Sequence, residues 1–241
     1  MSIQGNAVMA LKEILQPLSL LERLHYLVQT FQDEIVFSTS FGLEDQVISH
    51  LIFKNQLPIR VFTLDTGRQF QETYDTWQRT LDLYQGKIEV YFPDNQAITQ
   101  LVQQQGVNGF YESVENRQAC CGVRKVELLK RALSKQRIWI TGIRAAQSAN
   151  RGQMPFLEWD DSFQLIKFHP LLDWTFEQVK SYVHEQEIPY NPLHDKGFVS
   201  IGCAPCTRAI KAGEDFRAGR WWWEMDAKKE CGLHIVPKKQ F

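Results

Sequence analysis

The sequence lacks the features that mark membrane proteins, secreted proteins and general nucleic-acid binders. No stretch of about 20 residues is apolar enough to span a bilayer, and residues 1–13 show no secretory signal pattern. With 27 basic and 28 acidic residues, the net charge is −1, so the chain as a whole attracts neither nucleic acid nor an anionic membrane. We therefore expect a cytoplasmic protein that recruits anions through local basic clusters.

An even set of cysteines is also missing, because the chain has five. An odd number does not suit a secreted disulfide framework, and a cytosolic setting keeps thiols reduced. Cys203 and Cys206 form a Cys-x-x-Cys motif, Cys120 and Cys121 are adjacent, and Cys231 stands apart. Cys-x-x-Cys is typical of a redox dithiol, half a zinc site or half an iron–sulfur site. Four thiolates together suit zinc or an iron–sulfur cluster, and their spacing does not separate the two.

The pattern of apolar residues predicts alternating strands and helices. One or two helices are expected in residues 7–30, and further helices at 42–53, 70–83, 96–105, 122–133 and 175–187. The predicted strands are 34–41, 59–65, 87–92, 137–142 and 163–169. Such alternation is typical of an α/β fold with a doubly wound, mostly parallel sheet. No repeat or low-complexity linker interrupts it, so we predict one domain over residues 1–212 and a C-terminal segment, 213–241.

Polar residues follow the first two predicted strands. Ser38–Asp45 is a hydroxyl-rich turn that opens a helix, a setting suited to phosphate or sulfate, although it lacks the Gly-Lys-Ser/Thr ending of a Walker A loop. Leu64-Asp65-Thr66-Gly67 follows the second strand. Ligands of doubly wound sheets bind beyond the carboxyl ends of the strands, so Ser38, Ser40 and Asp65 are candidate nucleotide contacts. A plain helix N-cap and a plain turn are the alternatives.

Three motifs together carry a resemblance to a known family. They are Cys-Cys-x-x-Arg-Lys at 120–125, Cys-x-x-Cys at 203–206 with its Gly-Glu-Asp-x-Arg-x-Gly-Arg-Trp-Trp-Trp-Glu continuation, and Glu-Cys-Gly-Leu-His at 230–234. From residue 34 onward the chain resembles the assimilatory adenylyl-sulfate (APS) reductases, which form one family with the phosphoadenylyl-sulfate (PAPS) reductases. The Ser38–Asp45 turn resembles a degenerate PP-loop, which implies a fold of the PP-loop adenine-nucleotide type with a C-terminal catalytic tail.

The resemblance implies a 4Fe–4S cluster held by Cys120, Cys121, Cys203 and Cys206. It further implies that Cys231 attacks the sulfur of APS, which yields an S-sulfocysteine and AMP, and that thioredoxin or a similar dithiol protein then releases sulfite. Such a reaction belongs to assimilatory sulfate reduction and feeds cysteine synthesis. Thr141–Ser148 follows a predicted strand and resembles a substrate loop of the family, which makes Arg144 a candidate nucleotide contact, with a plain surface arginine as the alternative. Together with these loops, the resemblance predicts substrate-binding roles for Ser38, Ser40, Asp65, Lys125, Arg144, Arg217, Arg220 and His234.

Two other functions are compatible with the sequence. One is a PAPS reductase, or an enzyme that accepts both substrates, although the PAPS branch lacks the four cluster cysteines. The other is a zinc-bearing PP-loop binding or RNA-modifying protein, although no alternation of basic and aromatic residues suggests single-stranded nucleic acid. Neither a nucleic-acid nor a membrane partner is expected, and self-association is left open.

Overall fold

The computed structural model of the 241-residue chain describes residues 3–148 and 151–224. The chain divides into two compact units, each assembled from three segments. The first unit contains the chain up to Thr63 together with residues 72–89 and 135–192, and the second contains residues 64–71, 90–134 and the chain from Leu193 onward. The predicted division into residues 1–212 and a C-terminal segment, 213–241, stays a prediction, because residues 225–241 lie outside the described part.

Most of a mostly parallel, six-stranded β-sheet belongs to the first unit. Its strands are β1 (Ile35–Thr39), β2 (Arg60–Leu64), β3 (Ile88–Tyr91), β4 (Ile138–Ile140), β5 (Leu157–Asp160) and β6 (Leu165–Phe168). The strand order is β3-β2-β1-β4-β6-β5. β1 pairs in parallel with β2 and β4, β4 pairs in parallel with β6, and the terminal pair β5 and β6 is antiparallel. The predicted doubly wound, mostly parallel sheet is confirmed.

The helices of the first unit cover this sheet. They are α1 (Ile3–Leu15), α2 (Leu20–Phe31), α3 (Leu43–Lys54), α4 (Gln71–Tyr84) and α8 (Phe176–Glu185). Ser19 and Thr175 begin α2 and α8 with reciprocal capping boxes, which satisfy exposed N–H groups of the first turn. Because helices cover both faces, strand residues such as Phe37, Ile138 and Ile140 are fully buried.

The second unit contains the remaining helices and both cysteine motifs. Its helices are α5 (Asn95–Gln105), α6 (Val114–Cys121) and α7 (Glu127–Leu133), with a π-helical turn (Gly122–Val126) between the last two. The predicted helix at 122–133 therefore begins earlier, because the Ser113 hydroxyl accepts the Asn116 N–H at 3.1 Å and caps α6. Phe110, Cys203, Cys206 and Trp221 form a separate small core.

The edge strand β5, Leu-Glu-Trp-Asp, was not predicted, since four residues with two charges give little strand signal.

Within the described ranges, no helix combines the length and apolar character needed to cross a membrane.

Candidate active site

The four cysteines of the two motifs line one cavity in the second unit. Cys121, Cys203 and Cys206 are buried and Cys120 is half-buried, and all four are free thiols. The remaining wall of the cavity consists of Phe110, Pro205 and four cationic side chains: Arg68, Arg117, Arg124 and Lys125. Among the described residues, no three His, Cys, Asp or Glu side chains are placed to hold a single metal ion.

The first cysteine pair lies at the junction between α6 and the π-helical turn. Cys120 and Cys121 end α6, and the wider turn that follows carries Arg124 and Lys125. π-helical turns occur mostly as single insertions in helices, often at functional sites. Arg124 is buried, and its Nη1 donates to the Thr66 carbonyl oxygen at 2.6 Å.

The Leu64–Gln71 segment connects the two cysteine motifs. The Asp65 carboxylate accepts the Gly67 N–H at 2.8 Å, and Gly67 has φ +69°, a conformation that favours glycine. The Thr66 hydroxyl lies 3.3 Å from Cys203 Sγ, and the Arg68 carbonyl accepts the Ala204 N–H at 2.8 Å. Because Thr66 also accepts from Arg124, this segment fixes both motifs.

Further bonds hold the Cys203–Cys206 loop in place. The Thr207 hydroxyl donates to the Cys203 carbonyl at 2.9 Å, and the Tyr111 hydroxyl donates to the Pro205 carbonyl at 2.7 Å. The Cys206 carbonyl accepts the Trp221 N–H at 3.1 Å. All four residues of the loop are thereby restrained by side chains or backbone from elsewhere in the unit.

The thiols of the cavity differ in the direction in which their surroundings shift their pKa values. Burial alone would raise the pKa of Cys203, but Lys125, the hydrogen bond with Thr66, Arg220 and Arg124 outweigh it and lower the pKa. Burial, with the neighbouring Cys203 adding to it, raises the pKa of Cys206 to about 12. Cys203 therefore ionises more readily than Cys120 and Cys206, whose pKa values burial raises, and the positive charge of a bound metal group would favour the thiolate form of these two.

Trp221 lies behind the cavity and is surrounded by cations. Its side chain is 1% exposed. The guanidinium carbons of Arg117, Arg217 and Arg220 lie 4.7, 5.8 and 4.9 Å from its ring centroid, within cation–π range. Arg220 also packs against Gly202, where an added Cβ would lie 2.2 Å from Nη2.

Comparison with known proteins identifies the family. Residues 34–209 match the phosphoadenosine phosphosulfate reductase domain. Over 202 residues the chain is 53% identical to the adenosine 5'-phosphosulfate reductase of Allochromatium vinosum, which covers 84% of this chain and 79% of that protein.

The chain belongs to the phosphoadenosine phosphosulfate reductase family.

It is an oxidoreductase, and the predicted family resemblance is confirmed. Among solved structures, the PAPS reductase from Candida auris in a phosphate complex superposes with a TM-score of 0.73 at 30% identity, covering 87% of this chain and 99% of that one. Yeast FAD synthetase in complex with FAD gives a TM-score of 0.51 at 16% identity, covering 79% of this chain and 66% of that one. The second likeness shows only that the fold is shared.

In this reductase the Ser38–Asp45 loop of the first unit satisfies its own polar groups. The Ser40 N–H and hydroxyl donate to Asp45 Oδ2 at 2.6 and 2.7 Å, and Ser38 Oγ accepts the Trp139 indole N–H at 2.8 Å. Phe41 has φ +60°, which is strained for a bulky residue, and its buried ring stacks on Trp77. The loop therefore presents fewer unpaired N–H groups to an anion than its sequence suggests.

Buried charges at the start of α3 are paired within the same unit. Arg144 is 1% exposed, and its Nε donates to Glu44 Oε1 at 2.7 Å, while Gln147 Nε2 donates to the same oxygen at 3.1 Å. Burial raises the pKa of Asp45 to about 6, against the hydrogen bonds from Ser40, and Glu44 adds to the rise. The structure thus brings Arg144 to the loop at Glu44 rather than to an open surface.

The remaining predicted site residues fall into two groups. Cys231 and His234 lie outside the described residues. Lys125, Arg217 and Arg220 lie around the cysteine cavity or behind it, and Asp65 shapes the segment that joins the two motifs. Residues that the sequence did not single out also belong to this site, namely Thr66, Arg68, Arg117 and Arg124. Thr66 lies in the Leu64–Gly67 turn and Arg124 in the 120–125 motif, so the sequence could have pointed to both. Nothing in the sequence around Arg68 or Arg117 indicates a role in the site.

Proposed function

We propose that this protein is an APS reductase that converts adenosine 5'-phosphosulfate into sulfite and AMP. The assignment of APS as the substrate is supported by the name of the Allochromatium relative, adenosine 5'-phosphosulfate reductase. The observation that carries the proposal is the cavity in which four cysteines meet four cationic side chains. That donor set fits the family's expected 4Fe–4S cluster rather than a pair of redox dithiols.

The fit of the cluster rests on charge and chemistry. Thiolate sulfurs are the ligands of 4Fe–4S groups, and Cys120, Cys121, Cys203 and Cys206 are the four that line the cavity. Around them the cations offset the net negative charge of a thiolate-ligated cluster, in the way that outer-shell groups tune metal sites. When bound, the cluster would supply a fixed charge near the substrate and hold the two motifs together.

The first half of the proposed reaction takes place at Cys231. Its thiolate attacks the sulfur of APS, a bond forms between the two sulfurs, and the bond from sulfur to the bridging phosphate oxygen breaks. AMP leaves with that oxygen and with the bonding electron pair. Lys228, Lys229 and His234 are near in sequence, and cations near a thiol lower its pKa and so favour the attacking form.

The second half returns the enzyme to its thiol form. A thiolate of the donor, by resemblance thioredoxin, attacks the Cys231 sulfur and releases sulfite, which leaves a mixed disulfide between donor and enzyme. The second thiol of the donor then displaces Cys231. The dithiol loses two electrons, and the sulfur of the substrate gains them as sulfate-level sulfur becomes sulfite.

The proposed substrate contacts are cationic side chains of the second unit and polar side chains that follow the first two strands. Lys125, Arg217 and Arg220 are proposed to attract the phosphosulfate, because Lys125 and Arg220 already act on the cysteine charges of the second unit, and arginine suits phosphate groups. His234 is proposed to join them. Ser38, Ser40 and Asp65 are proposed to contact the nucleotide, and Arg144 to shape the nucleotide loop through Glu44.

The test is labelling with sulfur-35 APS under anaerobic conditions, without a dithiol donor. The wild-type chain should form a stable labelled adduct that thioredoxin discharges as sulfite, and Cys231→Ser should form none. Retention of the adduct in the Cys231→Ser variant would contradict the assignment of the nucleophile.

Substrate preference needs a separate measurement, and steady-state turnover of APS and PAPS supplies it. We expect APS to be preferred, because this chain carries the four cluster cysteines that the PAPS branch lacks, whereas a preference for PAPS would favour the alternative function.

A further inference from the structure

Arg117 is a buried residue between the cysteine cavity and the last described turn of the chain. It lies on α6, one helical turn before Cys121, and its side chain lines the cavity. Its Nε and Nη2 donate to the two carboxylate oxygens of Glu224 at 2.8 and 3.0 Å. Both side chains are close to fully buried, with exposed fractions of 6% and 5%. A bidentate pair of this kind fixes the position of both partners.

The turn that carries Glu224 is also tied to the second cysteine motif. Its first residue, Trp221, donates its N–H to the Cys206 carbonyl at 3.1 Å, and Glu224 donates its N–H to the Trp221 carbonyl at 2.9 Å. This turn therefore reaches Cys203–Cys206 through its backbone and Cys120–Cys121 through Arg117.

The backbone of this turn adopts a conformation that its residues do not prefer. Trp221 has φ +44°, which is an outlier for a bulky side chain and persists only where the surroundings enforce it. The surroundings here are the cation–π contacts and the Arg117–Glu224 pair. A buried ion pair is weak evidence for added stability, and its best-attested use is to specify one arrangement.

We propose that Arg117 and Glu224 are positioning residues that anchor the start of the C-terminal segment to the four-cysteine site. This inference rests on the proposed function, in which that segment carries the nucleophile. Cys231 follows Glu224 by seven residues, so an extended chain keeps it within about 25 Å of the anchor. Loss of the pair frees the root of the segment while the four cysteines remain in place.

The chain offers a matched control for this pair. Arg208 and Glu214 form another bidentate pair in the same unit, at 2.8 and 3.0 Å, but with partly exposed side chains and within one loop. Glu224→Gln and Arg117→Lys should therefore be compared with Glu214→Gln and Arg208→Lys. Lysine keeps the charge but cannot make the two parallel bonds of a guanidinium.

The experiment is limited trypsin digestion of the full chain, purified without air, with the cut after Lys228 or Lys229 followed by mass spectrometry. Glu224→Gln and Arg117→Lys should each speed this cut by about tenfold or more, since each removes a charge-assisted bond of a buried pair. The double variant should be cut no faster than the faster single one, because the two residues act as a unit. The two control variants should stay within about twofold of wild type.

The same samples separate positioning from stability. We expect the midpoint of global unfolding and the iron content to change little while the cut accelerates. Equal cutting of wild type and Glu224→Gln, equal acceleration in Glu214→Gln, or acceleration that merely follows a lowered unfolding midpoint would each overturn the proposal. If Arg117→Lys does not fold, Glu224→Gln tests the pair alone. Because the cut requires neither APS nor turnover, its result is independent of whether Cys231 is the nucleophile.

Discussion

In the first unit, Glu44 and Asp45 are buried carboxylates at the start of α3, and each is satisfied by neighbours within that unit. In the second unit, four cysteines share a cavity with four cationic side chains, and burial raises the pKa of Cys206 to about 12. The first arrangement is complete without a ligand. In the second, Arg117 already pairs with Glu224, and cations beside the cysteines lower the pKa of Cys203, so the site stabilises the thiolates that a bound metal group requires. The first unit thus satisfies its buried carboxylates internally, whereas the second surrounds thiols with cations that suit a metal group.

The largest effect is expected from Cys203→Ser. The surroundings of Cys203 lower the pKa of its thiol, so its replacement removes a ligand that the cavity favours in the thiolate form. We expect loss of nearly all bound iron and sulfide, measured by colorimetric analysis after anaerobic purification. Cys231→Ser is the control and should keep its metal; equal metal content in both variants would contradict the ligand assignment.

The Asp45→Asn variant tests whether the pKa of Asp45 is raised, through the pH dependence of the free energy of unfolding. The wild-type carboxyl has a folded-state pKa of about 6 against an ordinary value of 3.8. Its contribution to stability is therefore complete below pH 3.8 and is lost as the pH rises through 6. Relative to Asp45→Asn, the wild-type free energy of unfolding should fall by about 3 kcal/mol between acidic and neutral pH.

Chemical denaturation of both proteins across that range measures the difference, in which titrating groups distant from Asp45 cancel. Parallel pH profiles for the two proteins would show that Asp45 keeps an ordinary pKa in the folded state.

Gly142→Ala tests how tightly the first-unit loop is packed. An added Cβ would lie 2.1 Å from Asp45 Oδ1 and 3.2 Å from Glu44 Cβ, so the buried carboxylate must move. We expect a loss of about 2 kcal/mol in the free energy of unfolding. Gly122→Ala is the control, because an added Cβ there meets nothing within 4 Å. Equal stability of the two variants would mean that the loop is less tightly packed than described.

Gly202→Ala makes the same change in the second unit and should have the smallest effect. Its added Cβ would lie 2.5 Å from the guanidinium carbon of Arg220. Displacement of Arg220 removes a cation that lowers the pKa of Cys203. We expect metal affinity to fall by about tenfold, measured by the rate of iron loss to a chelator, with Gly122→Ala again as the control. Unchanged iron loss would show that Arg220 has no influence on the metal site.

The elements of the sheet could be predicted from local pattern. β1 and β2 are β-branched and aromatic and are followed by helices with clear signals, so their positions were predicted within a few residues. β5 was missed because a short edge strand with Glu158 and Asp160 depends on pairing with β6 rather than on its own residues. The start of α6 was missed because Ser113 acts as a cap only in the folded chain.

The candidate site was predictable where chemistry is carried by rare residues. Five cysteines in short motifs indicate a metal site and a separate thiol. Lys125 in the cationic wall was predicted from its motif, but Arg68 and Arg117 were not predictable, since they reach the cavity only through long-range packing. The burial of Arg144 against Glu44 likewise joins positions 100 residues apart, and no local pattern reports such a pairing.

The metal and acid-labile sulfide content of the full chain, purified without air, tests most directly whether the four cysteines hold a 4Fe–4S cluster. We expect about four iron and four sulfide per chain in a brown protein. One zinc per chain, without sulfide and without colour, would contradict it.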